Sequence, residues 1–237
     1  MNKTLPLSTL ALALAAAFPA HAQVELDPVV ITAERTRQTT FDAPAAISAV
    51  TRDVIDNGGF QVNLSEALNR VPGISVLNRQ NYAQDLQLSI RGFGSRSTFG
   101  IRGVRLIVDG IPATMPDGQG QASTIALGSA QRIEVLRGPL AQLYGNAAGG
   151  VVQVFTGTDA TVPTVSTSVG MGPYGQTKFG VKFGRNSERD SVVLDAARYA
   201  TNGYREHSDA LRTQLNAKWD HVIDKDSTIS LVANSFD

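Results

Sequence analysis

The chain has 237 residues, 42% hydrophobic and 18% charged, with 21 Lys+Arg against 21 Asp+Glu and no cysteine. Zero net charge excludes a generally basic nucleic-acid binder, so no nucleic-acid partner is expected. The missing cysteine excludes a disulfide scaffold, a thiolate metal site and a cysteine nucleophile. His21, His207 and His221 are too scattered for a histidine centre, so no metal and no cofactor are expected.

The first 22 residues read as a secretory leader. Lys3 is followed by an apolar run from Leu7 to Phe18 and then by Ala20-His21-Ala22. A positive start, an apolar middle and small residues before the cut are what a signal peptidase requires. Cleavage after Ala22 leaves Gln23 as the mature N-terminus. Beyond the leader, no apolar run is long enough for a membrane helix. An exported chain without cysteine fits the bacterial envelope.

Residues 23–40 form a short polar arm around the β-prone Val29-Val30-Ile31-Thr32. Residues 41–158 then read as an α+β unit. Thr51 is placed to cap a short helix through Asp56, stopped by Asn57-Gly58-Gly59. Asn63 with Glu66 three residues later starts a second helix. That helix carries Leu64, Ala67, Leu68 and Val71 and ends at Pro72-Gly73. Leu86, Leu88 and Ile90 alternate with polar neighbours as a half-buried strand. Val104 to Val108 is a strand closed by the turn pair Asp109-Gly110. Ile133 with Val135, and Val151 to Phe155, give two more.

Residues 159–237 behave differently. Strands are expected near 163–170, 174–184, 189–201, 211–222 and 227–236, with one face apolar and the other mostly polar. Leu211, Thr213, Leu215, Ala217 and Trp219 share one face; Arg212, Gln214, Asn216, Lys218 and Asp220 share the other. A soluble β-sandwich would turn the apolar face inward. A membrane barrel would turn it toward lipid. The long charged side chains and ten-residue strands favour the barrel, but pattern alone leaves both open. Five strands cannot close one, since an open edge is not tolerated in lipid. The chain therefore reads either as the N-terminal portion of something longer or as a truncated product.

No catalytic set emerges, so the chain is not expected to be an enzyme. Gly138 to Gly145 lacks the Lys-[Ser/Thr] of a phosphate loop. Gly92-Phe93-Gly94 has Ser97 where a dinucleotide loop needs its third glycine.

A family resemblance covers the whole chain. Asp27-Pro28-Val29-Val30-Ile31-Thr32-Ala33 resembles the TonB box of TonB-dependent outer-membrane receptors. Five segments resemble that family's plug domain in order and spacing: Leu64–Val76 (LSEALNRVPGISV), Ile90–Gly94 (IRGFG), Leu106–Pro112 (LIVDGIP), Ile133–Pro139 (IEVLRGP) and Leu143–Phe155 (LYGNAAGGVVQVF). The strands after Pro163 resemble the first of the family's barrel, which has about 22. The implied fold is an α+β plug domain followed by the first antiparallel strands of an incomplete transmembrane β-barrel.

The resemblance implies uptake of an iron chelate, of the siderophore or ferric-citrate kind, into the periplasm by TonB-driven plug movement. The alternatives are a truncated, non-transporting plug-like binding protein of the envelope and, third, a soluble secreted β-sandwich. The implied partners are TonB, by strand addition to the box, an iron chelate and outer-membrane lipid. Arg91 and Arg137 match two plug arginines that in many members pair with glutamates on the inner barrel wall. Those glutamates would lie beyond Asp237. The implied cargo loops are Arg79–Asp85, Ser95–Gly100 and Thr114–Gln121. Their candidate ligand residues are Arg79, Tyr82, Arg96, Asp117 and Gln119.

Overall fold

The computed structural model describes residues 30–31, 38–39 and 46–237, except 79, 81, 83 and 99. The expected leader, most of the box (Asp27, Pro28, Val29, Thr32 and Ala33) and Arg79 lie outside the described residues. In the arm, β1 (Val30–Ile31) pairs antiparallel with β2 (Gln38–Thr39).

The α+β unit follows. β3 (Ala46–Thr51) leads directly into α1 (Arg52–Asp56), and α2 (Ser65–Leu68) follows. Then come β4 (Ile74–Leu77), β5 (Gln87–Ile90), β6 (Ile101–Arg102), β7 (Val104–Val108), β8 (Ile111–Pro112) and β9 (Gln119–Gly120). β10 (Ala130–Arg137), a 3-10 helix (Pro139–Tyr144) and β11 (Gly150–Thr156) complete it. One sheet runs β3-β10-β11-β7-β8, with only the β11–β7 pair parallel. A smaller sheet runs β4-β5-β6-β9. Leu64, Leu68, Leu88, Ile90, Leu106 and Ile133 are buried together in the core of the unit.

Local chemistry modifies the expected elements. Thr51 occupies the N-cap of α1 but makes no side-chain cap bond. α2 is a turn shorter at its end than the sequence pattern predicts. Only half of the capping box forms: Glu66 reaches back and accepts from the N–H groups of Gln61, Val62 and Asn63 at 2.6–2.8 Å. Gly59 lies against this carboxylate, where an added Cβ would stand 2.7 Å from Glu66 Oε2. Asp109 and Gly110 both take positive φ (50° and 82°), which makes the expected tight turn between β7 and β8.

Five long strands form the second unit: β12 (Thr164–Gly172), β13 (Gln176–Asn186), β14 (Asp190–Thr201), β15 (Ala210–Val222) and β16 (Thr228–Phe236). Each pairs antiparallel with the next, giving an open five-stranded sheet. Their burial is inverted relative to a soluble protein. In β15, Arg212 and Asn216 are 7% and 6% exposed, whereas Leu211 and Leu215 are 58% and 50% exposed. In β13, Lys178 is 7% exposed and Phe179 55%. A sandwich would bury the apolar face. This sheet buries its polar face against the α+β unit and presents Phe179, Leu194, Leu211, Leu215 and Trp219 outward, as a lipid-facing wall does. The sandwich reading is therefore overturned. Among the described residues no helix is long and apolar enough to cross a membrane.

Candidate functional site

The wall holds the α+β unit through its inward side chains. Arg212 donates to the carbonyls of Val62 (2.9 Å) and Ser123, and its guanidinium lies 5.0 Å from the ring centroid of Phe236. Asn216 donates to Ser129 Oγ (2.7 Å), Lys178 to Gln61 Oε1 (3.0 Å) and Lys182 to the Gly157 carbonyl (3.2 Å). Phe60 packs over Gly170 of β12, where an added Cβ would approach its ring to 2.6 Å. Buried polar groups need partners, and here many partners sit across the boundary between the two units.

Tyr82 stands where the α+β unit meets the wall near one end of the sheet. Its hydroxyl is 2.9 Å from that of Tyr199 on β14, and the Phe60 ring packs tilted against Tyr199 as well, at 5.9 Å between centroids. Burial, reinforced by the Tyr199 hydrogen bond, raises the Tyr82 phenol well above the usual tyrosine value. The connections at this end of the wall are 173–175 and 202–209; at the other end they are 187–189 and 223–227. The longest, 202–209, marks the outward end, since membrane barrels carry their longer loops outside.

A cavity of about 1180 Å³ opens beside Tyr82, lined among others by Asp85, Arg96, Arg102, Gln119 and Phe236. Asp85 accepts from the Ser123 N–H at 3.1 Å, and burial raises its carboxyl above the usual range against the opposing pull of that bond and of Arg212. Arg96, Arg102 and Gln119 are exposed. Tyr82 also borders a smaller cavity of about 220 Å³ with Tyr174 and Tyr204 of the outer loops. Of the candidate ligand residues, Tyr82, Arg96 and Gln119 converge on the large cavity. Asp117 does not line it; its carboxylate accepts from the Gln119 N–H at 3.0 Å and shapes that turn. The pattern missed Tyr199, Asp85 and Arg102, whose only sequence signal was their place in or beside an outer loop.

Arg91 and Arg137 are brought together at Pro72-Gly73. The Arg91 N–H donates to the Gly73 carbonyl (2.9 Å), and Arg137 Nη1 donates to the Pro72 carbonyl (2.6 Å). Arg137 Nη2 also bonds Ser48 Oγ at 2.5 Å. Burial, and then the neighbouring Arg91 charge, lower the Arg137 value below that of a free guanidinium. The described residues thus hold two adjacent cations beside Gly73.

Comparison with known proteins agrees with this geometry. Residues 39–151 match the family "TonB-dependent Receptor Plug Domain". Residues 39–151 form a plug domain of the TonB-dependent receptor kind. It is 29% identical, over 91% of its length, to the iron-regulated outer membrane virulence protein of Vibrio cholerae serotype O1. The alignment spans 35% of that relative. Among solved structures it superposes on the pyoverdine outer membrane receptor FpvA of Pseudomonas aeruginosa PAO1 with a TM-score of 0.70 at 18% identity, covering 88% of this chain and 30% of that one. It superposes on the ferric yersiniabactin uptake receptor FyuA of Yersinia pestis with a TM-score of 0.63 at 22% identity, covering 81% and 31%. The chain thus spans about a third of these receptors, and its five strands resemble part of a receptor barrel wall. It is a protein of the outer membrane, as the Vibrio relative and the pyoverdine receptor are named.

Proposed function

We propose that this chain is the front part of a receptor that takes an iron chelate, of the siderophore or ferric-citrate kind, into the periplasm by TonB-driven movement of the plug. The proposed division is a leader at 1–22, an arm with the TonB box at 23–40, a plug at 41–158 and the first wall strands at 159–237. The action is transport, with no catalytic step. The observation that carries this reading is the outward cavity at the plug–wall boundary. It gathers a phenol and two exposed guanidiniums, Arg96 and Arg102, around a single carboxylate. A net positive, aromatic-edged cavity suits an anionic metal chelate, because guanidinium forks pair with carboxylate or catecholate oxygens. The names of the relatives support iron as the cargo metal.

In this reading Arg79, Tyr82, Arg96 and Gln119 belong to the cargo surface, and Asp117 acts on it only by holding the turn that presents Gln119. Arg91 and Arg137 form the plug half of a lock whose carboxylates come from wall strands after β16. Two adjacent guanidiniums repel each other, and two carboxylates would relieve that repulsion. The box, Asp27 to Ala33, adds as a strand to TonB through main-chain bonds. Proline removes a main-chain donor. Val30→Pro or Ile31→Pro in the complete receptor is therefore expected to abolish energised uptake of radiolabelled ferric chelate while leaving cargo binding at the cell surface intact. Wild-type uptake by either variant would refute the box.

A further inference from the structure

The turn Asp109-Gly110 does more than reverse the chain. Asp109 Oδ1 accepts from the Thr156 N–H at 2.8 Å, and its own N–H donates to the Val154 carbonyl at 2.9 Å. One residue thus joins the end of β7 to the end of β11. The same Oδ1 lies 2.8 Å from Lys218 Nζ, on wall strand β15. Lys218 also donates to the Thr156 carbonyl at 3.1 Å and lies 3.3 Å from Asp220. The Asp109 side chain is 2% exposed and that of Lys218 is 14% exposed. Among the plug–wall contacts of the described residues, this is the one ion pair.

Its position gives it a role. Lys218 lies toward the end of β15 that carries the short 223–227 turn, so the pair sits on the periplasmic side of Tyr82. In the plug sheet, β3 is the edge strand that follows the arm, and β7 and β11 lie on the far side of β10. A pull entering through the arm reaches β3 first. The Asp109–Lys218 pair clamps the other side of the same sheet to the wall.

We infer that Asp109 and Lys218 form a latch that keeps the far half of the plug sheet against the barrel wall and the pore shut between transport cycles. The inference rests on the transport reading above. Removing Lys218 leaves the buried Asp109 carboxylate uncompensated, and removing Asp109 leaves Lys218 only the longer contact to Asp220, while removing both avoids the larger penalty. The latch is therefore a coupled unit, and each single change should loosen the plug.

The test uses the complete receptor in cells lacking TonB, with the folded, heat-modifiable receptor in the outer membrane quantified in parallel. Asp109→Asn keeps an acceptor for the Thr156 N–H and tolerates the positive φ. Lys218→Met removes the ammonium. Either change is expected to raise sensitivity to a large glycopeptide antibiotic, which an intact plug excludes, by about tenfold at unchanged receptor level. The double variant should leak no more than either single one, and Lys218→Arg should restore tightness. Unchanged sensitivity, additive leakage, or leakage that merely tracks loss of folded receptor would overturn the latch. If Lys218→Met fails to accumulate, Lys218→Gln takes its place with the same expectations. The transport reading fails separately: it falls if wild-type uptake of the chelate persists without TonB.

Discussion

The hydroxyl of Tyr82, on a plug loop, hydrogen-bonds that of Tyr199, on the second-longest wall strand, and their ring centroids lie 5.6 Å apart. This phenol pair joins the floor of the proposed cargo cavity to the wall. A net hydrogen bond contributes about 1 kcal/mol, or roughly a fivefold change in a local opening equilibrium. Tyr82→Phe and Tyr199→Phe should each speed hydrogen exchange at residues 84–88 by about that factor, and the double variant should add little. Because the folded Tyr82 value is raised, the stability it lends is complete below the ordinary tyrosine value, about 10, and is lost as pH rises through the higher folded value. Ultraviolet titration of the receptor should therefore show one tyrosine that resists ionisation well after the exposed ones, and Tyr82→Phe should remove it.

Asp85 offers a second pH test. Its carboxyl is raised by burial, so its contribution to stability is complete below the unfolded value near 4 and is lost as pH rises through the folded value. Asp85→Asn keeps the acceptor for the Ser123 N–H and removes the buried charge. Melting temperatures in detergent should be similar near pH 4 and higher for the variant at pH 7.

Glu66 holds three successive main-chain donors at the entry to α2. Hydrogen bonds to a charged acceptor contribute about 1.5–3 kcal/mol each, and the donors they leave are partly buried. Glu66→Ala should destabilise the plug by roughly 3 kcal/mol, Glu66→Gln by less. Gly59→Ala should mimic the loss by displacing the carboxylate. Limited proteolysis of the 56–70 segment in the assembled receptor would rank the three.

The wall makes a prediction about lipid. Leu215 points outward and is half-exposed, and an arginine facing the bilayer midplane costs about 2–4 kcal/mol. Leu215→Arg should sharply reduce the heat-modifiable receptor in the membrane, whereas Leu215→Ile should not. Equal accumulation of both would place this face in water.

The wall strands were legible because their pairing is local. Each is joined to the next by a hairpin, so period-two alternation alone located all five within a few residues. The same alternation gave the two faces, but not which one was buried; the plug against Arg212 and Asn216 decided that. The helix from Asn63 stops at Leu68 rather than running to Val71, because the chain turns there ahead of Pro72, with the Val71 N–H on the Leu68 carbonyl. Tyr82, Arg96 and Gln119 converge as three separate loop segments suggested, while Asp117 is absorbed by its own turn. The Asp109–Lys218 bond joins residues 109 positions apart. Nothing in either local pattern marks the other partner, so only the folded chain reveals it.

The inverted burial of the wall has an evolutionary consequence. Leu211, Leu215 and Phe179 are exposed on the outward face, and in the transport reading they face lipid, so one apolar residue there can replace another freely. Arg212, Asn216 and Lys218 each answer to a particular group on the plug, and neither side can drift alone. A plug grafted into a foreign barrel should therefore seat poorly even between similar receptors, and second-site suppressors should map to the inward residues of β13 and β15.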